Sequence, residues 1–481
     1  MTWLGRTTVG IAMLLVAAGV AAAQDEMPGL EKIVDPFIPD GKKAPAGKAR
    51  AIGADALRAL PFPVRFTETI PADLKGEAVA VPFGDRSLGL KACLYVPTTY
   101  SAVRSWALLV ESGWESSAAG QLEAFQPRAE RQEYLLLVVE YRFPHGHRSG
   151  SLSGWSREGV KEVDVVQQPL EEIQKDMAAD EKQVLALLKQ IAGRYNVEPK
   201  AVGVTGFMWP GLMAYRLMLS HPNLFCCSIT RTAVFDAECL PADVARARHR
   251  PFYVICGEKE PPWSMEGTQH AMDFFKQKRF TKVVMERIPK SGIDLRPEIA
   301  SNYFRAAVEG ALGPEQMAFY RAYSRAFRCV EGLAAMGDAA ASEGTPSGDT
   351  VPEAKPKAPP TPEAAMAGLK AFGETYPKSD FKAGIAYMTA RLANEKLADP
   401  KQADKLLRPF LRSPLRNDPL AVVALFYLAE KVIDHDTRGG DASRVLTAIT
   451  TLRQATAEEK SHARDRRKEL LKERAARKKV P

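Results

Sequence analysis

The chain is short of the residues that build metal and proton-transfer sites. It holds seven histidines and six cysteines in 481 residues. No two cysteines stand in Cys-x-x-Cys spacing, which excludes a zinc framework of that kind. Cys93 and Cys256 fall in predicted strands, where a thiol behaves as a small apolar group. The spacing of Cys226, Cys227, Cys239 and Cys329 does not dictate any pairing. Long apolar runs are also missing: after Val9–Val20 nothing is long and apolar enough to span a bilayer. At 46% hydrophobic residues the chain can bury a substantial core, so wholesale disorder is excluded.

A large excess of one charge is absent too. The net charge of +8 arises from 66 basic against 58 acidic residues. Much of it sits between Lys460 and Lys479, where Glu469 and Glu473 interrupt the basic residues. That spacing predicts a solvated helix held by i,i+4 pairs, not a nucleic-acid surface, with weak attraction to anionic envelope polymers.

What is present starts with an export pattern. Arg6 precedes the apolar run, and Ala21-Ala22-Ala23 before Gln24 suits cleavage, so residues 1–23 are expected to be a signal peptide. The run is too short for an anchor, which predicts an exported protein, periplasmic or secreted, with no integral membrane segment after cleavage. Residues 24–75 form a lead-in with one short helix expected at Ala54–Leu60. Residues 76–334 alternate apolar strands with amphipathic helices, which predicts a doubly wound, mostly parallel α/β sheet covered on both faces. Residues 335–363 are rich in Ala, Pro, Ser and Gly and read as an unpacked linker. Residues 364–457 are helical again, a small all-α domain, and 458–481 form the charged basic tail. Within the helical part, AGLKAFGETYPKSDFKAGIAYMTARLA resembles tetratricopeptide-type hairpins, although no 34-residue period recurs and a plain bundle fits equally.

The chemistry-bearing stretch is Ala201–Leu219, AVGVTGFMWPGLMAYRLML. A short buried strand, a turn opened by Gly206 and a helix restarting at Gly211 form the strand-turn-helix that carries G-x-S-x-G in serine hydrolases. Met208 stands where that motif has its serine, and Pro210 where it has its second glycine. A thioether has no proton to give up and cannot form an acyl-enzyme.

Together with LKACLYVPTTY, SWALLVESGW, FYVICGEKEPP and VVMERIPKSGIDLRPE, this stretch resembles exported α/β-hydrolases of the polyhydroxybutyrate-depolymerase, feruloyl-esterase and prolyl-oligopeptidase-like type. The resemblance covers about residues 76–312 and implies an α/β-hydrolase fold. Position by position, it puts the nucleophile at Met208, the acid at Glu260 and the histidine at Ile293. Isoleucine cannot take a proton from a nucleophile or return it to a leaving group. The resemblance thus implies a degenerate triad and a serine-hydrolase homologue without its chemistry. It places oxyanion-hole N–H groups at Trp209 and in a loop expected after a strand ending near Glu111, at Gly113 of Ser112-Gly113-Trp114.

The other candidate residues fit ordinary structural roles. Ser112 reads as a turn serine rather than a displaced nucleophile, and Asp294 as a helix-leading acid. His145 and His147 form an H-x-H pair in a glycine-containing loop, so no metal and no cofactor are expected. His270 and His221 read as structural. Trp114, Trp209 and Trp263, with Trp155 considered alongside, would bring aromatic faces around the former active site and could stack on a small-molecule or polymer ligand; filling a disused cleft explains them as well. A protein partner held by the C-terminal helices is the other expected mode of binding. An active ester or peptide hydrolase with an unrecognised constellation is the alternative.

Overall fold

The computed structural model describes residues 78–80, 92–101, 103–114, 118–141, 169–193, 195–333, 358–412, 414–418 and 420–477. The signal peptide, the lead-in helix, the His145/His147 pair, Trp155 and most of the linker lie outside them. Eight strands form one sheet: β1 (Ala78–Ala80), β2 (Ala92–Tyr95), β3 (Trp106–Trp114), β4 (Leu135–Tyr141), β5 (Val197–Phe207), β6 (Cys227–Arg231), β7 (Phe252–Gly257) and β8 (Val283–Ile288). Their order is β1-β2-β4-β3-β5-β6-β7-β8. β1 with β2 and β2 with β4 are antiparallel, and every later pair is parallel. This is the mostly parallel sheet that the alternating pattern predicts, in the α/β-hydrolase order that the resemblance implies.

Both faces are covered, which is why β4 reads LLLVVEY, a continuous apolar run rather than an alternation. On one face, Leu108, Val110, Leu137 and Val204 pack with helices α2 (Leu170–Ala192) and α3 (Pro210–Ser220). On the other, Leu109, Leu136, Val138 and Ile229 pack against α1 (Ala118–Gln132) and the first half of α5 (Pro297–Glu331). Helix α4 (Pro262–Gln277) lies between β7 and β8 in the chain. In α2 the buried Ile173, Met177, Val184, Leu188 and Ile191 share one helical face; the sequence periodicity predicts a helix over Asp180–Tyr195, and the helix begins ten residues earlier, at Leu170.

Two differences from expectation concern α5. Gly313-Pro314 reads as a helix end, yet the helix only kinks there, with Gly313 at φ 80°, and resumes to Glu331. The resumed half carries Phe319, Tyr320, Tyr323 and Phe327, all buried. The helices that follow are α6 (Pro362–Thr375), α7 (Lys382–Glu395), α8 (Pro400–Leu407), α9 (Ala421–Tyr427, prolonged by a π-turn over Leu428–Val432), α10 (His435–Ile449) and α11 (Ala457–Arg477), and the first two of them dock on α5. Phe319 stacks on Phe381 with ring centroids 4.5 Å apart, and Phe372 lies 5.9 Å away. The helical part therefore shares one continuous apolar core with the hydrolase part. The charged tail is not free either: Thr456 and Glu459 form a reciprocal capping box at the start of α11, and Ala463 and Leu470 are buried along it.

Polar contacts fix where the helical part sits. Ser105 Oγ and Gln316 Nε2 both donate to the buried Glu198 carboxylate, at 2.8 and 2.6 Å, and Ser101 Oγ pairs with Tyr323 OH at 2.9 Å. Glu133 accepts from Arg104 at 2.7 Å, from Arg328 at 3.0 Å and from Ser324. Arg104 in turn lies over the Trp106 ring, 3.7 Å from its centroid. Trp106 and Glu198 lie at the first residues of β3 and β5. The helical part thus sits at the amino-terminal ends of the parallel strands and leaves their carboxyl ends uncovered by this seam.

Burial pushes the Glu133 carboxyl up, but the Arg104 and Arg328 charges and the Ser324 hydroxyl outweigh it and hold the group below its ordinary 4.5. At Glu181, burial is likewise outweighed by the His221 hydrogen bond and the Arg216 charge. A carboxyl with a depressed folded value stabilises the fold above its unfolded value and loses that contribution as pH falls through the folded one. The thermal midpoint is therefore expected to fall as pH drops from about 5 toward about 3. Scanning calorimetry of Glu133→Gln should show a shallower decline than the parent chain; an unchanged slope would remove Glu133 from this account.

Candidate functional site: the elbow after β5

The carboxyl ends of parallel strands are where open α/β sheets bind ligands, and Met208 stands at the end of the central one. It adopts φ 59°, the left-handed region that a β-to-α elbow imposes. For a non-glycine residue that costs on the order of 1–3 kcal/mol, so surrounding packing must enforce it. A Cβ on Gly206 would come within 2.6 Å of the Pro210 carbonyl oxygen, and one on Gly211 within 2.4 Å of Ala233 Cβ. The turn is therefore squeezed between its own strand and the segment after β6, whatever occupies position 208. Pro210 takes the first position of α3, where its missing N–H is no loss, and Gly211 provides the close approach one residue later. Met208 itself is 6% exposed, and its backbone is anchored by N–H donation to the Arg231 carbonyl at 3.0 Å.

From the sequence, Glu260 at the acid position reads as a solvated loop carboxylate before it reads as an acid/base group, and the structure corrects that reading of the carboxylate. Its residue is buried, and one oxygen accepts from Thr232 Oγ1 at 2.7 Å, from the Gly257 N–H and from Arg296 Nη1 at 2.9 Å, while the other accepts from Ser264 Oγ. Arg296, at φ 47° just before α5, also donates to Ser291 Oγ at 3.1 Å and to the Gly292 carbonyl. Lys259 N–H donates to the Ser291 carbonyl at 2.8 Å. The segment carrying Ile293 and the exposed Asp294 is thereby fastened to the acid's own loop, with a guanidinium as the cation beside the carboxylate. Ile293 is half-buried and brings no titratable group.

A second ion pair lies under the elbow. Glu111 of β3 and Arg231 at the end of β6 have side chains with 0% exposure and bond through both carboxylate oxygens. Arg231 also donates to the Leu295 carbonyl at 2.5 Å and lies over the Phe125 ring, 4.9 Å from its centroid. This second guanidinium therefore holds the Ile293 segment from the other side.

The expected oxyanion loop is a strand. Ser112, Gly113 and Trp114 continue β3, in register with Val139, Glu140 and Tyr141 of β4, so the ladder runs on past the buried Glu111. Gly113 is therefore a ladder residue, which corrects its placement in a loop. Ser112 is fully buried, its Oγ 3.4 Å from Tyr141 OH. Trp209 is half-buried at the entry to α3, directly after the elbow. The side chains of Trp114 and Trp263 lie outside the described residues.

Several described histidines have partners of their own. His221 Nε2 bonds Glu181 at 2.5 Å, His249 Nδ1 lies 3.2 Å from Thr281 Oγ1, and the His462 ring lies against Phe426. His270 is exposed on α4. Among the described residues no hydrogen bond joins a histidine to Ser112, Ser264 or Glu260, and no group of three or more His, Cys, Asp or Glu could hold a metal ion. Five of the six cysteines are buried. No helix among the described residues is long and apolar enough to cross a membrane.

Strand order and elbow together define an α/β-hydrolase fold. No protein-family model matches the sequence, and no match was found among curated proteins. Solved structures similar to the chain include a ferulic acid esterase from Anaeromyces mucronatus, at 10% identity over 52% of this chain and 100% of that one, with a TM-score of 0.37. An S-formylglutathione hydrolase from Staphylococcus aureus matches at 10% identity over 49% and 99%, TM-score 0.33. A protein assigned as a dipeptidyl aminopeptidase IV from Bacteroides ovatus matches at 16% identity over 49% of this chain, TM-score 0.34, and this chain spans 36% of its length.

Proposed function

We propose that this chain is an exported α/β-hydrolase homologue that has lost serine-hydrolase activity and works by binding. One observation carries the reading: a strained elbow, built as for a nucleophile, presents a thioether, while the acid position is held by arginine. The strain at Met208 remains though no oxygen is displayed, so packing rather than turnover maintains the turn.

The carboxyl end of the sheet, with Trp209 beside the elbow, supports a small-molecule or polymer ligand as the occupant. The helical part, seated at the opposite strand ends, supports a separate protein partner. Truncation after Leu333 would strip cover from Phe319 and Tyr323, so the two surfaces are better separated by point substitutions in the intact chain.

The direct test is labelling by a fluorophosphonate probe, which reacts with an activated serine. The parent chain is expected to stay unlabelled, and stoichiometric labelling would establish the alternative of an active hydrolase with a non-standard constellation. Export has its own test, an exported form whose first residue is Gln24.

A further inference from the structure

The C-terminal helix α11 sorts its charges by face. At about 100° per residue, Glu459, Ala463, Arg466 and Leu470 share one side. Glu459, Ala463 and Leu470 are buried there, and Arg466 pairs with Glu430 at 3.2 Å. Lys460, Arg464, Arg467, Leu471 and Arg474 recur in four- and three-residue steps on one flank of that side, and Glu458, Asp465, Glu469 and Glu473 hold the other. On the acidic flank, Asp465 pairs with Lys468, and Glu469 and Glu473 with Arg466.

The basic flank is different. Arg464, Arg467 and Arg474 are exposed, and among the described residues no ion pair engages them or Lys460. Arg467 Nε lies 3.3 Å from Ser443 Oγ, and the Arg474 guanidinium lies beside Gly440, so this flank faces α10, which adds the exposed Arg444. Amid these cations Leu471 is 44% exposed, one of few large apolar side chains left so open among the described residues.

We propose that this flank docks the protein on an anionic lipid bilayer. Cations in a row, with no ion-pair partner among the described residues, answer a negatively charged surface, and clustered basic residues attract acidic lipids within a Debye length. Leu471 selects a bilayer over a soluble polyanion: an apolar side chain among cations gains by entering the headgroup region and has nothing to bury into along a hydrated polymer. The contact is peripheral and reversible.

The test is co-sedimentation of the chain from Gln24 onward with vesicles of phosphatidylcholine alone or with phosphatidylglycerol added. Binding is expected on the acidic vesicles, weak on the neutral ones, and falling steeply with salt. Arg464→Glu with Arg467→Glu should lower partitioning by about tenfold or more, since each cation near such a surface contributes several-fold. Lys276→Glu with Lys282→Glu makes the same charge change on the exposed surface of the hydrolase part and should have little effect. Leu471→Ser should weaken vesicle binding while leaving retention on immobilised heparin unchanged. Equal loss from both charge pairs, equal binding to neutral vesicles, or retention on heparin without vesicle binding would each overturn the proposal. Thermal midpoints of all variants are compared with the parent; if the glutamate pair unfolds early, Arg464→Gln with Arg467→Gln takes its place with the same expected direction.

Discussion

Met208→Ser in the otherwise unchanged chain is expected to leave hydrolysis of a nitrophenyl ester at the buffer rate. The elbow at φ 59° would present the new hydroxyl correctly, so the failure would lie in proton transfer. Ile293 offers no base, and no described histidine is bonded to the acid at Glu260. Members of a triad act as one unit, and losing the nucleophile or the base costs on the order of 10⁶-fold in turnover. Adding Ile293→His should recover little. Glu260 already accepts four donors, from Thr232, Gly257, Ser264 and Arg296, so it is committed where a triad acid would orient the ring. Loss of that orientation alone costs about 10⁴-fold. A third change, Arg296→Met, releases one of those donors, and the triple variant should therefore exceed the double. Turnover by the single variant would contradict the assignment of the triad positions.

The resistance to repair follows from where each residue gets its job. Gly206, the elbow and the helix restart are legible in the sequence because close backbone approach and helix periodicity are local properties. The Glu260–Arg296 pair is not local. Arg296 before Pro297 reads as an ordinary helix entry, and its role emerges once the sheet brings the loops after β7 and β8 together. The one local hint is a carboxylate at the acid position with no histidine left to face it; once buried, such a group needs a counter-charge or other donors. Ser112-Gly113 misled for a related reason. Small polar residues read as a turn, while the ladder that carries β3 through Trp114 depends on pairing with Val139–Tyr141 of β4, 27 residues away. Gly313-Pro314 carries strong local breaking signals, yet Phe319, Tyr320 and Tyr323 beyond it gain enough from burial against the sheet's lower edge and the helical part for the helix to resume. From its charge the tail reads as solvated, yet the sparse stripe of Ala463 and Leu470, with the Arg466–Glu430 pair, docks it.

The largest stability effect is expected at the ion pair under the elbow. Glu111→Ala should lower the unfolding free energy by about 3–5 kcal/mol, because it leaves the Arg231 guanidinium without a counter-charge in a site closed to water. Arg231→Met should cost a similar amount by stranding Glu111. The two losses are not additive. Burial raises the Glu111 carboxyl above its usual range against the opposing pull of Arg231, so desolvation is the dominant charge on this pair. Replacing both together, Glu111→Leu with Arg231→Met, removes that penalty and is expected to be near neutral, or up to about 1–4 kcal/mol more stable, when packing is kept. What the double variant cannot replace is the donation from Arg231 to the Leu295 carbonyl, so amide exchange should quicken in residues 291–296 even where global stability is unchanged. Urea unfolding of the four forms gives the coupling energy, and hydrogen exchange reads the loop. A coupling near zero would mean that the pair is incidental, whereas strong coupling with a loosened loop would show that this buried charge is retained to hold the Ile293 segment in place.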